Sequence, residues 1–450
     1  MEKSMHSLLK RANKIPGDFG LPFIGEAAQL FGLQQLYYHN QYQKYGNIFK
    51  TKIMDMKFVV IADPKVNQIV LKDQSYKVSS KLGWKFLEPI LGNGILLQDG
   101  YQHQSTRRLI YPALHGEALS NYVYTIQQAT AQYLEEWVND TPNILLERLR
   151  KLVLNISCKL FLGSNDVQEI NELSQWFSDY TNGLRTVIRL NTPITRFGRA
   201  CLARKRLEDY IYSQIEARRT SKNLKESKDV LGLLMASIDE EGNYLADVEI
   251  ATQTIQLLFG GHETTARLLC WVLIELANHP DWKNKLRREQ LENTSGNDLT
   301  ISELNQLLKM KCVIKEVERL YPPTYFIPRG VIEDIEINGY IVPAGWFVML
   351  SPLLTHRLHE IYHQPNTFNP ARFLPPLEED KKHPFALIGF GGGPHRCLGY
   401  GLAQVEMKII LSTILRNFEW SFSPATSINE PVLQPSKLDT ILKIHLKRIS

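Results

Sequence analysis

A mainly α fold with small β-sheets, an α+β chain organised around one long helix, is what this sequence predicts, and three observations predict it. Most of Gln102–Arg319 carries apolar residues at helical spacing with few Gly or Pro breakers. Two β-branched runs outside that core, Ile48–Ile61 and Val331–Leu350, read as hairpins, the second around the turn pair Asn338-Gly339. The third observation is the apolar run Ile250–His279, which as one helix spans about 43 Å, enough to cross a whole domain. His262, Glu263 and Arg267 fall near its middle. Charged groups there make a membrane span costly, so the run reads as a helix through a protein core.

In chain order, Pro16-Gly-Asp-Phe-Gly-Leu-Pro22 is a turn-rich opening, the first hairpin follows, helices occupy the middle, and the second hairpin leads to the C-terminal third. Without repeats, low-complexity tracts or linker-like stretches, the expectation is a single domain over 16–450 behind a flanking segment 1–15. The 44% hydrophobic content supplies a large core, and the net charge of +5 is too mild to argue for nucleic acid. Five widely spaced cysteines with no Cys-x-x-Cys suit a reducing compartment rather than a disulfide framework. The opening Met-Glu-Lys-Ser-Met-His-Ser has no long apolar run, so neither a signal peptide nor a membrane anchor is expected. The expectation is a cytoplasmic protein with at most peripheral membrane contact.

Chemistry concentrates in four places. Phe390-Gly-Gly-Gly-Pro-His-Arg-Cys-Leu-Gly399 isolates one thiol, Cys397, among glycines that permit tight turns and close approach of a flat cofactor, with His395 and Arg396 beside it as donors. Inside the long helix, Gly260-Gly-His-Glu-Thr-Thr265 places two glycines where each costs about 1 kcal/mol relative to Ala. That cost makes sense if a ligand approaches the backbone there, with Glu263 and Thr264 offering a carboxylate and a hydroxyl for proton transfer. Glu316 and Arg319 stand one helical turn apart, and Arg372 follows in Phe368-Asn-Pro-Ala-Arg-Phe373. His103 and Arg107 share a helical face as two potential cations.

These motifs, taken with their order, resemble the cytochrome P450 family over essentially the whole chain. Phe390, Gly393, His395, Cys397 and Gly399 stand at the defining positions of its haem loop. The resemblance implies the cytochrome P450 fold, with a long central helix over a haem b (iron protoporphyrin IX) whose iron takes Cys397 as axial ligand. It implies that His103, Arg107, Arg329 and His395 meet the haem propionates and that Phe390 lies at the cofactor. Thr264 and Glu263 would serve the oxygen-activating relay, and Glu316, Arg319 and Arg372 would form a structural ion-pair network. A substrate pocket would draw on Trp84, Leu96, Leu184, Leu258, Gly260 and Phe326, alongside Phe86 and Trp176. Arg185 and Arg189 read as a solvated face, with contact to a substrate carboxylate as the alternative.

The implied activity is monooxygenation of a hydrophobic substrate. Electrons would come from NAD(P)H through a separate ferredoxin or flavodoxin-type donor, because the chain ends at Ser450 without room for a reductase. Lys381, Lys382, Arg396 and Arg108 could form a basic docking face for an acidic donor. Pro16–Glu26 and Asp99–Tyr122 are similar to the retinoic-acid-hydroxylating branch and its cyanobacterial-type members, which implies a retinoid or other isoprenoid acid. Three alternatives stand beside this. A peroxide-using or lyase-type haem-thiolate enzyme would need no electron donor, and a haem-binding sensor would bind oxygen without turnover. A zinc hydrolase would use His359-Glu360-Ile-Tyr-His363, which matches His-Glu-x-x-His.

Overall fold

The structure, a computed structural model, describes residues 14–21, 25–139, 143–184, 186, 189–220, 228–296, 298–423 and 442–449. Residues 1–13 of the flanking segment, residues 22–24 of the turn-rich opening and Arg185 lie outside them. The longer helices are α1 (Ala27–Tyr45), α2 (Gly100–Ile110), α3 (Glu117–Asn139), α4 (Leu145–Leu162), α5 (Val167–Leu184), α6 (Arg196–Thr220), α7 (Asp247–Asn278), α8 (Pro280–Asn293), α9 (Leu308–Leu320) and α10 (Tyr400–Asn417). The strands are β1 (Ile48–Ile53), β2 (Met56–Ile61), β3 (Val78–Ser79), β4 (Asn143–Ile144), β5 (Ile327–Val331), β6 (Ile335–Ile337), β7 (Tyr340–Val342), β8 (Phe347–Leu350), β9 (Phe418–Ser423) and β10 (Lys443–Arg448). The fold is therefore mainly helical with small sheets. The chain divides into two compact units.

The first unit takes residues 14–85 and 311–397 and is built on a five-stranded sheet of order β1-β2-β8-β5-β3. The hairpin expected over Ile48–Ile61 forms with Ile48 opposite Ile61 and Ile53 opposite Met56. Along β2, Val59 and Ile61 enter one apolar cluster while Phe58 and Val60 enter another, the two-residue alternation of a strand buried on both faces. Tyr37 and Tyr38 of α1 belong to the second cluster, and the Tyr38 hydroxyl reaches Met349 Sδ at 3.1 Å. The β6–β7 hairpin turns at Asn338 and Gly339, whose φ values of 47° and 80° are the positive pair that an Asn-Gly turn favours.

The second unit takes residues 86–310, 398–423 and 442–449. Helix α7 has 32 residues and runs about 48 Å. Its ends lie within a few residues of the expected Ile250–His279. Leu268, Leu269, Trp271, Val272, Leu273, Ile274 and Leu276 are buried along its C-terminal half, as a core helix requires. Helix α4 packs along α7, and α5 packs on α6. A Cβ at Gly183 would come within 2.1 Å of the Ala200 Cβ, so that glycine sets the closeness of the α5–α6 approach. Strands β4, β10 and β9 form a small antiparallel sheet, and the Trp420 indole donates to the Leu273 carbonyl at 3.0 Å. Among the described residues one run, Gly393–Asn417, is long and apolar enough to cross a membrane, and 67% of its apolar window is buried in the protein.

Candidate active site

In the first unit the cysteine loop is shaped by its glycines. Gly391 and Gly393 take φ of 70° and 61°, the left-handed region that side chains disfavour. A Cβ at Gly393 would fall 1.7 Å from the Leu71 carbonyl oxygen, and one at Gly392 would fall 2.7 Å from the Phe385 ring. Three backbone bonds close the loop on itself: Gly391 N–H to Ile388 O at 2.8 Å, Arg396 N–H to Gly393 O at 3.1 Å, and Cys397 N–H to Phe390 O at 2.8 Å. The backbone spends its polar groups internally and delivers Cys397 to the surface of its unit.

Of the five cysteines, Cys397 alone is exposed; Cys158, Cys270 and Cys312 are buried and Cys201 is half-buried. Burial pushes the Cys158 thiol up to about 12, leaving it inert, whereas an accessible thiol is the kind that can ligate a metal. Nothing lies within 4 Å of where a Cβ on Gly399 would sit, so the backbone beside the thiol is open. An accessible soft donor beside open glycine backbone fits a thiolate-ligated planar cofactor. His395 ends a single helical turn over Gly393–His395 and is half-buried, as is Phe390. Arg329 is buried on β5, opposite Val348, and donates to the Pro328 carbonyl at 2.8 Å.

The same unit brings Glu316, Arg319 and Arg372 together. Arg319 grips Glu316 through Nε at 2.8 Å and Nη2 at 2.7 Å, and Arg372 Nε reaches the same carboxylate at 3.1 Å. Glu316 and Arg319 are 0% exposed, so the remaining donors must be met inside the protein. Arg319 Nη1 donates to the carbonyls of His356 and Pro365, and Arg372 Nη1 to the His363 carbonyl and Glu379. The network thus ties α9 to the 356–379 segment that precedes the cysteine loop.

His356 had no sequence signal of its own. It is fully buried, its Nδ1 faces the Arg319 carbonyl at 3.3 Å, and its Nε2 accepts the Ile388 N–H at 2.9 Å. Burial first, then the nearby Arg319 and Arg357 cations, pushes its pKa down to about 3. A neutral ring with the proton on Nδ1 satisfies both contacts.

The second unit holds the long-helix motif. Thr264 Oγ1 donates to the Gly260 carbonyl at 2.7 Å, and nothing lies within 4 Å of where a Gly260 Cβ would be. Its neighbour Glu263 turns elsewhere, into a clamp of Arg150 and Arg267. The adjacent His262 is buried with Nε2 at 3.1 Å from the Arg150 carbonyl, so Arg150 engages α7 through both its side chain and its backbone. Arg150 lies 113 residues from Glu263 in sequence, and no motif marks it. On α2, His103 is buried and Arg107 half-buried.

The expected pocket residues divide between the units. Trp84 and Phe326 are half-buried in the first, where Phe326 packs on the cluster containing Tyr38. In the second, Leu258 is buried, Leu184 half-buried and Gly260 exposed. Two unflagged residues of α7 pin the segment carrying Leu96: Gln253 accepts the Ile95 N–H at 3.0 Å and Gln256 the Leu96 N–H at 3.2 Å.

Arg189 departs from the solvated face expected for it. It is half-buried, with its guanidinium 5.4 Å from the Phe86 ring centre and 5.6 Å from that of Phe197. Two of the four cations expected to dock a donor are compensated within the chain, Arg108 by Glu240 and Lys381 by Glu378. The zinc-hydrolase pattern is overturned: residues 359–363 lie in turns, so His359 and His363 do not share the helical face that His-Glu-x-x-His chemistry needs.

The family model for cytochrome P450 matches residues 15–447. The chain belongs to the cytochrome P450 family. This P450 is 31% identical to "Putative cytochrome P450 120" of Synechocystis over 424 residues, covering 94% of each chain. It is 30% identical to "Abscisic acid 8'-hydroxylase 1" of rice, covering 92% of this chain and 86% of that one. Among solved structures, cyanobacterial CYP120A1 with retinoic acid bound superposes with a TM-score of 0.87 at 30% identity, covering 97% of this chain and 99% of that one. Membership makes the protein a monooxygenase with a haem-thiolate cofactor and reducing equivalents from a partner.

Proposed function

We infer that this P450 hydroxylates a hydrophobic isoprenoid acid, a retinoid foremost, as one domain over 16–450 in the cytoplasm. Its cofactor is haem b, and its electrons pass from NAD(P)H through a ferredoxin- or flavodoxin-type donor. The observation that carries the reading is Cys397, the one exposed thiol of five, held by a glycine loop in a chain that matches the family nearly end to end. When bound, the haem supplies the oxygen-activating chemistry. Cys397 would give its thiolate to the iron, Phe390 would flank it, and His103, Arg107, Arg329 and His395 would hold the propionates. Thr264 Oγ1 would hold and pass the proton that oxygen activation consumes, beside the open backbone at Gly260.

Two relatives support an isoprenoid acid: one solved structure contains retinoic acid and one relative is named for abscisic acid, both apolar terpenoid carboxylic acids. Arg189 supplies the matching charge in this chain. Burial lowers its pKa from the ordinary value, and no carboxylate pairs with it among the described residues. A guanidinium held between two phenyl rings suits a carboxylate with an apolar tail.

The test is the ferrous carbonyl spectrum of the purified protein beside Cys397→Ser, followed by turnover of retinoic acid with a ferredoxin and its reductase. A red-shifted thiolate-type band that vanishes in the variant, and a hydroxylated product, are expected. A haem protein without that band would overturn the site, and turnover with peroxide alone would favour the donor-independent alternative.

A further inference from the structure

Helix α9 carries a second buried carboxyl that the ion-pair network does not use. Glu318 is 4% exposed, and it turns away from Glu316 and Arg319 toward the backbone that leads into the cysteine loop. Its carboxyl accepts the Gly389 N–H. A Cβ on Gly389 would stand 2.6 Å from both Glu318 Cγ and Oε1, so any side chain there would displace the carboxyl. Gly389 is not among the positive-φ glycines, which leaves room for Glu318 as the reason for glycine at that position.

The preceding amide is held in the same way, because Ile388 N–H donates to His356 Nε2. Two consecutive amides just before Phe390 are thus captured by buried side chains anchored on or against α9. The next closure is the Phe390–Cys397 backbone bond itself.

We propose that Glu318 is a positioning residue of the cysteine loop, accepting the Gly389 N–H and so fixing the backbone that leads into Cys397. The proposal rests on Cys397 as the haem ligand. Backbone groups behind a thiolate orient it and tune its basicity, so a shift at residues 388–390 reaches the sulfur through the Phe390 carbonyl. The charged and titratable groups around the carboxyl are Lys315 and Asp380, which pair with each other, Arg396, and the buried Tyr362. Burial outweighs the two cations and raises the carboxyl to about 8, so it is neutral at pH 7. In that state glutamine is its close mimic, with a carbonyl to accept and no charge to gain.

The experiment follows the thiolate-type ferrous carbonyl band with time in wild type, E318Q, E318L and G389A. At pH 7, E318Q should hold the band as wild type does. E318L and G389A should lose it about ten-fold faster, the order expected when one buried donor loses its partner. Above pH 8 the wild-type band should decay faster than at pH 7 while that of E318Q keeps its rate, because only glutamate gains a charge beneath the loop. If E318L does not fold, G389A and the pH comparison decide. E318L and G389A indistinguishable from wild type, or E318Q as labile as E318L, would overturn the proposal. Absence of the thiolate band from wild type itself would instead remove the haem-ligand assignment.

Discussion

Arg150 on α4 grips Glu263 on α7 with both arms of its guanidinium, Nε to Oε2 and Nη2 to Oε1, each at 2.7 Å. Arg267 adds a third donor at 2.8 Å from the next turn of α7. A carboxylate held by two guanidiniums has its lone pairs and its geometry spoken for. Thr264, one residue on, keeps its hydroxyl on its own helix against Gly260. Adjacent residues of one motif therefore carry different loads: Glu263 fastens the helix to its neighbour, and Thr264 stands at the open backbone.

That division predicts separable phenotypes. Thr264→Ala should raise peroxide release per NAD(P)H several-fold with little change in the urea midpoint. Glu263→Gln and Arg150→Gln should each lower stability by about 2 kcal/mol, the worth of a charge-assisted bond. Arg150→Lys should recover only part of the loss, since a single ammonium cannot grip both oxygens. Coupling assays beside urea denaturation check this, and a Glu263→Gln protein of full stability with heavy peroxide release would reverse the assignment.

Glu316 meets two arginines where none of the three is more than 1% exposed. Glu316→Gln would leave the buried Arg319 guanidinium without a carboxylate and Arg372 with Glu379 alone, and should cost about 3–5 kcal/mol. The expected sign is a large fall in folded yield and in the denaturation midpoint. Unchanged stability would show that the network is not required for folding.

Glu406 on α10 is buried with Oε1 unpartnered among the described residues, and burial alone raises its pKa from 4.5 to about 8. Between those values the unfolded chain releases a proton that the folded chain keeps, so its contribution to stability falls as pH rises across the window and levels off above 8. The slope for one such group is about 1.4 kcal/mol per pH unit. Glu406→Gln should make the wild-type decline between pH 5 and 8 shallower by that slope, with Glu318 still contributing its own, measured by urea midpoints at several pH values. His356 works in the opposite direction: held neutral down to about 3, it withdraws stability as pH falls below its ordinary 6.5.

Arg189 is expected to select for an acid. Arg189→Leu should raise the Kd for retinoic acid about ten-fold and leave that for retinol unchanged, read from substrate-binding difference spectra. Equal effects on both ligands would make Arg189 a packing residue against Phe86 and Phe197.

What the sequence by itself determined is what short spacing encodes. The Asn338-Gly339 hairpin, the strands at Ile48–Ile61, the long helix α7 and the glycine loop around Cys397 each follow from neighbours within a few residues. There, φ preferences, side-chain period and turn chemistry act locally. Glu316 and Arg319 were legible for the same reason, one turn apart on α9.

Only the tertiary structure decided which way the polar side chains of those elements turn. It sent Glu263 to Arg150, Glu318 to Gly389, His356 to Ile388 and Arg189 between two phenyl rings. It also left His359-Glu-x-x-His363 in turns, without the shared helical face that zinc chemistry needs. Each outcome depends on a partner far off in the chain, and no local propensity chooses among distant partners. Burial does, because a charge or amide taken out of water must find its complement wherever the packing has put one.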